Sequence, residues 1–451
     1  MLAAACLFAS LASAAHCIPA RWPSGRPESL DLLEGSPINA VLLEPAHWNR
    51  SFVEAARRRH VAVLGVIHPG GSVPALARRA AQFGMAAVVL DGDFSRAGAA
   101  AAKAGLPVIE LPARQKILSA GDAMVTGTAQ ALWPGIQIEH GGKVSTGPSS
   151  APWIDTNTGF LRFLSAATPS VIWLGERPPP GNVIPVRRYL LAIADAAIVN
   201  ARWIVSLDRD FERRLLRRES TALQDWNQIN GYLRYFESHS EWRDTKQFGT
   251  FAVLEDAAGG GLLSAGLLDM LSVLHKTARP IAARRLDAGE LENAQIVLNA
   301  ASSLDGRERS LLEEYGRSRG KLLEPPPGWY FPPVATEQIR PTPQQADAIQ
   351  PLWESTYDAT LRGNFGARTF NTSTIIFTIR ASGDSKKLIV HLLNYADYIS
   401  EDIAVQVTGL WRTARLYAPG EPAHDLPVYP VRDGTGVDIS KIDLLGSLVF
   451  E

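Results

Sequence analysis

The chain has 451 residues, 46% of them hydrophobic and 20% charged, which are the proportions of an ordinary globular protein. That length exceeds one ordinary core and predicts two to four domains. With 45 basic against 46 acidic residues, a formal charge of -1 and a pI ≈ 6.8, the chain lacks the basic footprint of a nucleic-acid binder.

The first residues, MLAAACLFASLASAAH, form a short apolar run ending in Ala12-Ser13-Ala14, a small-x-small cleavage pattern. This predicts a signal peptide over residues 1–15 and an exported protein, periplasmic or extracellular. His16 stands before Cys17 where a lipoprotein needs a small residue. No later segment has the apolar length of a membrane span. The two cysteines are Cys6 and Cys17, so a processed chain can form no internal disulfide.

Between residues 38 and 208 come short apolar runs ending in polar or acidic residues: 38–44, 61–68, 86–91, 107–110, 171–176 and 203–208. Helical stretches such as Val73 to Phe83 and Arg187 to Asn200 separate several of them. Continuous apolar runs alternating with helices predict a parallel sheet buried on both faces, and a (β/α)8-type barrel over residues 30–247 follows. Adding weaker segments at about 134–139 and 152–155 brings the count to eight strands. One long amphipathic helix is expected from about Phe211 to Phe236.

Residues 248–326 repeat the α/β pattern on a smaller scale, with strands at 250–254, 280–286, 295–299 and 321–324 and helices at 262–275 and 306–318, a small αβα unit. The run Pro325-Pro-Pro-Gly-Trp-Tyr-Phe-Pro-Pro333 can continue neither helix nor sheet, so residues 327–365 read as a linker followed by a helix from about Gln344 to Leu361. From 366 to 451, short strands with turn signals between them predict a small antiparallel β-sandwich.

The module order resembles the multidomain glycoside hydrolases related to the family 42 β-galactosidases. The middle match rests on Gly266-Leu-Leu-Asp-Met-Leu271, Leu291-Glu-Asn-Ala-Gln-Ile-Val-Leu298 and the segment Leu311 to Leu323. The last rests on Val390-His-Leu-Leu-Asn-Tyr395, Ala414-Arg-Leu-Tyr-Ala-Pro419 and the segment Ile442 to Phe450. The resemblance implies a barrel, an amidotransferase-like αβα domain and a C-terminal sandwich, with a carbohydrate substrate and, in many relatives, oligomers; a homo-oligomer through the middle domain is one expectation. Glutaminase chemistry is excluded for that domain, because no cysteine follows Cys17 and the candidate turn reads Asn299-Ala-Ala-Ser302.

Glycoside hydrolysis needs one carboxyl that donates a proton and one that attacks carbon or activates water. Barrel enzymes supply them from the ends of different strands. On the strand count above, Glu110 ends the fourth strand and Glu176 the seventh, the positions that the resemblance assigns to the acid/base and the nucleophile. Each also reads simply, Glu110 as a surface carboxylate and Glu176 as a loop residue paired with Arg177. No Asn-Glu pair follows the fourth strand, and that departure keeps a second reading open: a noncatalytic carbohydrate-binding or scaffold protein with a degenerate barrel.

Trp153, Asp155 and Asn157 have the aromatic and polar character of a sugar platform, which Trp133 and Trp173 extend. Asp155 equally reads as a helix N-cap, and Trp133 and Trp173 as core packing. Glu44 and Asp208 are candidate substrate ligands or supporting partners. No cofactor and no metal is expected. Asp91 and Asp93 could bind a cation, but Asp-Gly-Asp is also an ordinary turn, and His47, His68 and His140 lack an i, i+4 partner on a helix. Gly259-Gly-Gly261 lacks the spacing of a phosphate loop, and there is no Gly-x-Ser-x-Gly elbow.

Overall fold

The computed structural model describes residues 17–102, 105–117, 125–138, 144–146, 155–257, 261–318, 320–335, 338–361 and 363–451. The expected signal segment, Trp153 and His140 lie outside the described residues. The chain divides into two compact units, Met1–Ala131 with Pro169–Ser238, and Leu132–Thr168 with His239–Glu451.

Among the described residues, the first unit contains eight parallel strands: β1 (Pro19–Trp22), β2 (Ala40–Leu43), β3 (Ala62–Ile67), β4 (Ala87–Asp91), β5 (Val108–Leu111), β6 (Val125–Thr128), β7 (Val171–Leu174) and β8 (Ala201–Trp203). The first five pair in chain order as one sheet, and the last three form a second in the order β8-β7-β6. Around the edges of these sheets, Arg21 donates its backbone N–H to Val205 O at 2.8 Å and Val205 donates to Pro19 O at 3.0 Å, an isolated parallel bridge beside β1 and β8. After β5 and β6, the Thr128 hydroxyl donates to Pro112 O at 2.7 Å. A single apolar cluster takes in Ala40, Leu42, Leu64, Val66, Ala87, Val89, Ile109, Leu111, Val125, Trp173 and Ile204, so both sheets face one core.

The strand count from sequence needs correcting in two places. Pro19-Ala-Arg-Trp22 and Val125-Thr-Gly-Thr128 are strands that the apolar-run criterion misses, because each carries polar residues. Gly127 is required where it stands: a Cβ there would lie 2.7 Å from Leu111 Cδ2 and from Trp173 O. The segment near 134–139 is instead Ile136–Ile138, paired antiparallel with Val144–Thr146. Residues 152–154 lie outside the described residues, and Asp155 is in no strand. The long helix expected after residue 211 is two helices, Arg209–Leu216 and Ser220–Ser238. Arg218 between them has φ 58°, a left-handed conformation that ends an α-helix.

The second unit contains a four-stranded parallel sheet in the order Arg279–Ala282, Phe251–Glu255, Ile296–Asn299, Lys321–Leu323. Its helices include Leu262–Val273 and Gly306–Ser318. The helix Thr158–Ala167 lies against Leu262–Val273 so closely that a Cβ on Gly159 would meet Ala265 O at 2.4 Å. The C-terminal part has a six-stranded and a four-stranded antiparallel sheet. Ile375, Phe377, Leu388, Val390 and Leu392 of the first share one core with Ile403, Val405, Val437 and Ile439 of the second. The helix Pro343–Thr360 precedes these sheets and carries a capping box between Thr342 and Gln345, which satisfies two otherwise open backbone donors.

Glu255, at the carboxyl end of its strand, is fully buried, and neither carboxyl oxygen has a hydrogen-bond partner. Burial pushes this group well above the ordinary carboxyl range, against the opposing charge of Arg162. The guanidinium of Arg162 spends its donors elsewhere, on Gln247 Oε1 at 3.2 Å, Ser272 Oγ at 3.0 Å and Ala278 O.

Candidate active site

Side chains alternate faces along a strand with a period of two, and that rule builds the site in the first unit. Leu42, Val66 and Val89 point into the shared core. Two residues further on, on the same face and past the last core layer, stand Glu44, His68 and Asp91. Arg21 pairs in register with Leu42, and Leu42 with Leu64, so Arg21 also rises from the inner face. Parallel strands put all four at one edge, the carboxyl end, where α/β folds of this kind place their chemistry.

These groups form a connected network. Arg21 Nη2 donates to Asp91 Oδ2 at 3.0 Å, and its Nη1 lies 3.7 Å from Glu44 Oε1. His68 Nε2 is 2.8 Å from Glu44 Oε2, and His68 Nδ1 is 3.6 Å from Asp91 Oδ2. Arg177, after β7, donates through Nη2 to Glu44 Oε1 at 2.6 Å and to Asp91 Oδ2 at 3.3 Å. Beyond Asp91, Asp93 accepts from the Ala113 N–H at 2.9 Å and pairs with Lys116.

The network drives its acids apart in proton affinity. Burial works against ionisation of Glu44, but the hydrogen bonds from His68 and Arg177 outweigh it and hold that carboxyl down at about 2. His68 is raised in return, chiefly by its bond to Glu44. Glu176 goes the other way. Burial pushes its carboxyl up to about 7, with the Asp91 charge adding to the rise, while the Arg177 backbone N–H and the charges of Arg21 and Arg177 oppose it. Glu212 is lifted to about 7 as well, by burial and then by Asp208. Two carboxyls held several units apart in one site are the raw material of acid–base catalysis. Among the described residues, no group of three or more His, Cys, Asp or Glu side chains is arranged to hold a metal.

Of the residues expected from sequence, Glu44 stands in this network and Glu176 beside it, within electrostatic reach of Arg21, Asp91 and Arg177. Glu110 does not join it. It lies on the fifth strand, not the fourth, between Ile109 and Leu111, which both face the core, so alternation turns Glu110 to the opposite, exposed face. Trp173 is 1% exposed, inside the shared core. Asp208 is buried and caps the helix Arg209–Leu216, accepting from the N–H groups of Asp210 and Phe211 at 3.0 Å. Its other oxygen accepts from the Ile184 N–H at 3.1 Å and the Tyr189 hydroxyl at 2.9 Å. Replacing Asp208 with Ala removes the cap and strands two buried donors, an expected loss of about 2–4 kcal/mol that a shift in the urea midpoint measures.

In the second unit, Asn157 is fully buried and clamps Leu132, accepting from its N–H at 2.8 Å and donating to its carbonyl at 3.0 Å. Asp155 pairs with Arg340 at 3.0 Å, and burial raises its carboxyl against that partner. Trp133 is buried. The sequence did not point to Arg21 or His68 as site residues, and Asp91 entered it only as one acidic strand end among several and as a turn residue that could bind a cation. Counting two residues on from each core position would have found His68 and Asp91.

No protein family matches the chain, and no curated protein matches it. Among solved structures, an α-L-fucosidase isoenzyme 2 from Paenibacillus thiaminolyticus is similar over 96% of this chain and 99% of its own, with 10% identity and a TM-score of 0.63. The two chains share a fold. A rhamnosidase from Novosphingobium sp. PP1Y covers 90% of this chain, which spans 39% of its length, at 10% identity and a TM-score of 0.46. The glycoside hydrolase domain of PelA from Pseudomonas aeruginosa covers 42% of this chain and 94% of its own, at 18% identity and a TM-score of 0.30. These structural neighbours are glycoside hydrolases, although only the first likeness is strong enough to carry the shared fold. The chain has parallel α/β units followed by antiparallel sheets. Among the described residues no helix is long and apolar enough to cross a membrane.

Proposed function

We propose that the protein is a glycoside hydrolase whose eight parallel strands close into a barrel, with Glu176 as proton donor and Asp91 as the partner carboxylate at its mouth. The observation that carries this reading is the network of Arg21, Glu44, His68, Asp91 and Arg177 at the carboxyl ends of the strands, with Glu176 beside it. A leaving alkoxide needs a proton, and a carboxyl held up at about 7 keeps one at neutral pH. Asp91, already tied to two guanidinium groups, supplies the second carboxylate, which either attacks the anomeric carbon or takes a proton from the attacking water. Glu44, His68 and Arg177 fix its surroundings.

This assignment replaces Glu110 with Asp91 and gives Glu176 the acid role, because a nucleophile must be charged at the working pH. The neighbouring fold of a fucosidase supports a carbohydrate substrate. The order of modules supports a relation to the family 42 enzymes, and the apolar opening segment supports export to the periplasm or beyond. Turnover of a panel of aryl glycosides tests the proposal. Asp91→Asn is expected to lower kcat by about a thousandfold, the scale on which a catalytic carboxylate acts, with binding of the glycosides retained. An unchanged kcat rejects Asp91 as the partner carboxylate.

A further inference from the structure

Arg21 holds one donor that has an ion-pair neighbour but no hydrogen-bond partner. Its Nη2 is committed to Asp91 at 3.0 Å, but Nη1 is buried and has no hydrogen-bond partner. Its ion-pair neighbour, Glu44 Oε1 at 3.7 Å, is beyond hydrogen-bond reach and already accepts from Arg177 at 2.6 Å. A buried guanidinium N–H left unmade is costly, and native structures keep such groups chiefly where a ligand or water completes them. The side chain is only 12% exposed and rises from the inner face of β1, so the donor is held at a fixed place beside Asp91.

We propose that Arg21 contacts the substrate, its free Nη1–H donating to a hydroxyl oxygen of the sugar bound against Asp91. The inference rests on the glycoside hydrolase reading and adds a residue that reads the sugar. The acceptor is a neutral oxygen rather than a carboxylate, because Asp91 and Glu44 stand on either side of the guanidinium and repel a further anion. One fork of the same guanidinium thereby aligns Asp91 while the other positions the sugar ring.

The test uses the full chain, with wild type, Arg21→Ala and Arg21→Lys, against an aryl glycoside that wild type binds and its monodeoxy counterparts. Binding is followed by ligand-observed NMR and turnover in the same samples, after thermal melts confirm folding. Arg21→Ala is expected to weaken binding of the parent about 10- to 100-fold, the range for a hydrogen bond to a charged group. One monodeoxy counterpart should lose that same factor with wild type and nothing further with Arg21→Ala. Arg21→Lys, which keeps the charge and a donor, should recover part of the loss, as should added guanidinium ion with Arg21→Ala. An equal loss across every deoxy counterpart, or tighter binding of the matching aryl uronide, overturns the assignment. Binding without turnover sinks the hydrolase reading and leaves the Arg21 result legible; no binding of any glycoside overturns both.

Discussion

Glu176→Gln is expected to lower kcat/KM by about 10²- to 10⁴-fold for glycosides with poor leaving groups, the scale of general acid catalysis. For a dinitrophenyl glycoside the loss should shrink to a few-fold, because that leaving group departs without a proton. The contrast follows from the setting of the residue. Burial lifts its carboxyl to about 7, while Asp91 adds to the rise and the neighbouring arginines limit it. Glutamine keeps the size of the side chain and cannot give up a proton. A variant equally impaired on both leaving groups would assign Glu176 to binding or structure instead.

The second large effect lies in the other unit. Glu255 is fully buried with both oxygens unpartnered, and its carboxyl is raised well above the ordinary 4.5. Below that ordinary value both folded and unfolded chains hold the proton, and the full stability is present. As pH rises through and beyond it, the unfolded chain releases a proton that the folded chain keeps, so stability falls until the folded group also ionises. Glu255→Gln removes that penalty and keeps the shape. The variant should be more stable by about 1–3 kcal/mol at pH about 8, with the gain vanishing near pH 4.5. Urea midpoints at the two pH values measure it. Equal midpoints at the higher pH would mean that Glu255 gives up its proton in the folded chain at little cost.

Much of this architecture is legible in the residues. Apolar runs such as Val61 to Ile67 and Ala86 to Asp91 fall on β3 and β4, and the helix expected at 306–318 is Gly306–Ser318. What escaped was governed by tertiary position rather than local pattern. β1 carries Arg21 because that side chain reaches the carboxyl-end network of Glu44 and Asp91, and β6 carries Gly127 because Leu111 and Trp173 leave no room for a Cβ. Both break the apolar run that marks a buried strand. Among the described residues, β1 and β6 bring the parallel strands to eight, which leaves Glu176 after the seventh and moves Glu110 from the fourth to the fifth.

The candidate site was half readable for the same reason. Acidic residues at strand ends drew attention to Glu44 and Glu176, but strand ends alone do not say which face a side chain takes. Alternation against known core positions does, and it separates Asp91 from Glu110. Asp208 and Asn157 have sugar-binding chemistry by type, yet each is spent on backbone groups: a helix start and the Leu132 peptide. Only the folded chain shows where those hydrogen bonds go.

The most direct measurement is the pH dependence of kcat/KM for an aryl glycoside with a poor leaving group, in wild type and Glu176→Gln. Wild-type activity is expected to fall as pH rises through about 7, and Glu176→Gln to lose both the rate and that alkaline fall. Hydrolysis by wild type that persists undiminished well above neutral pH, or that Glu176→Gln leaves intact, would contradict it.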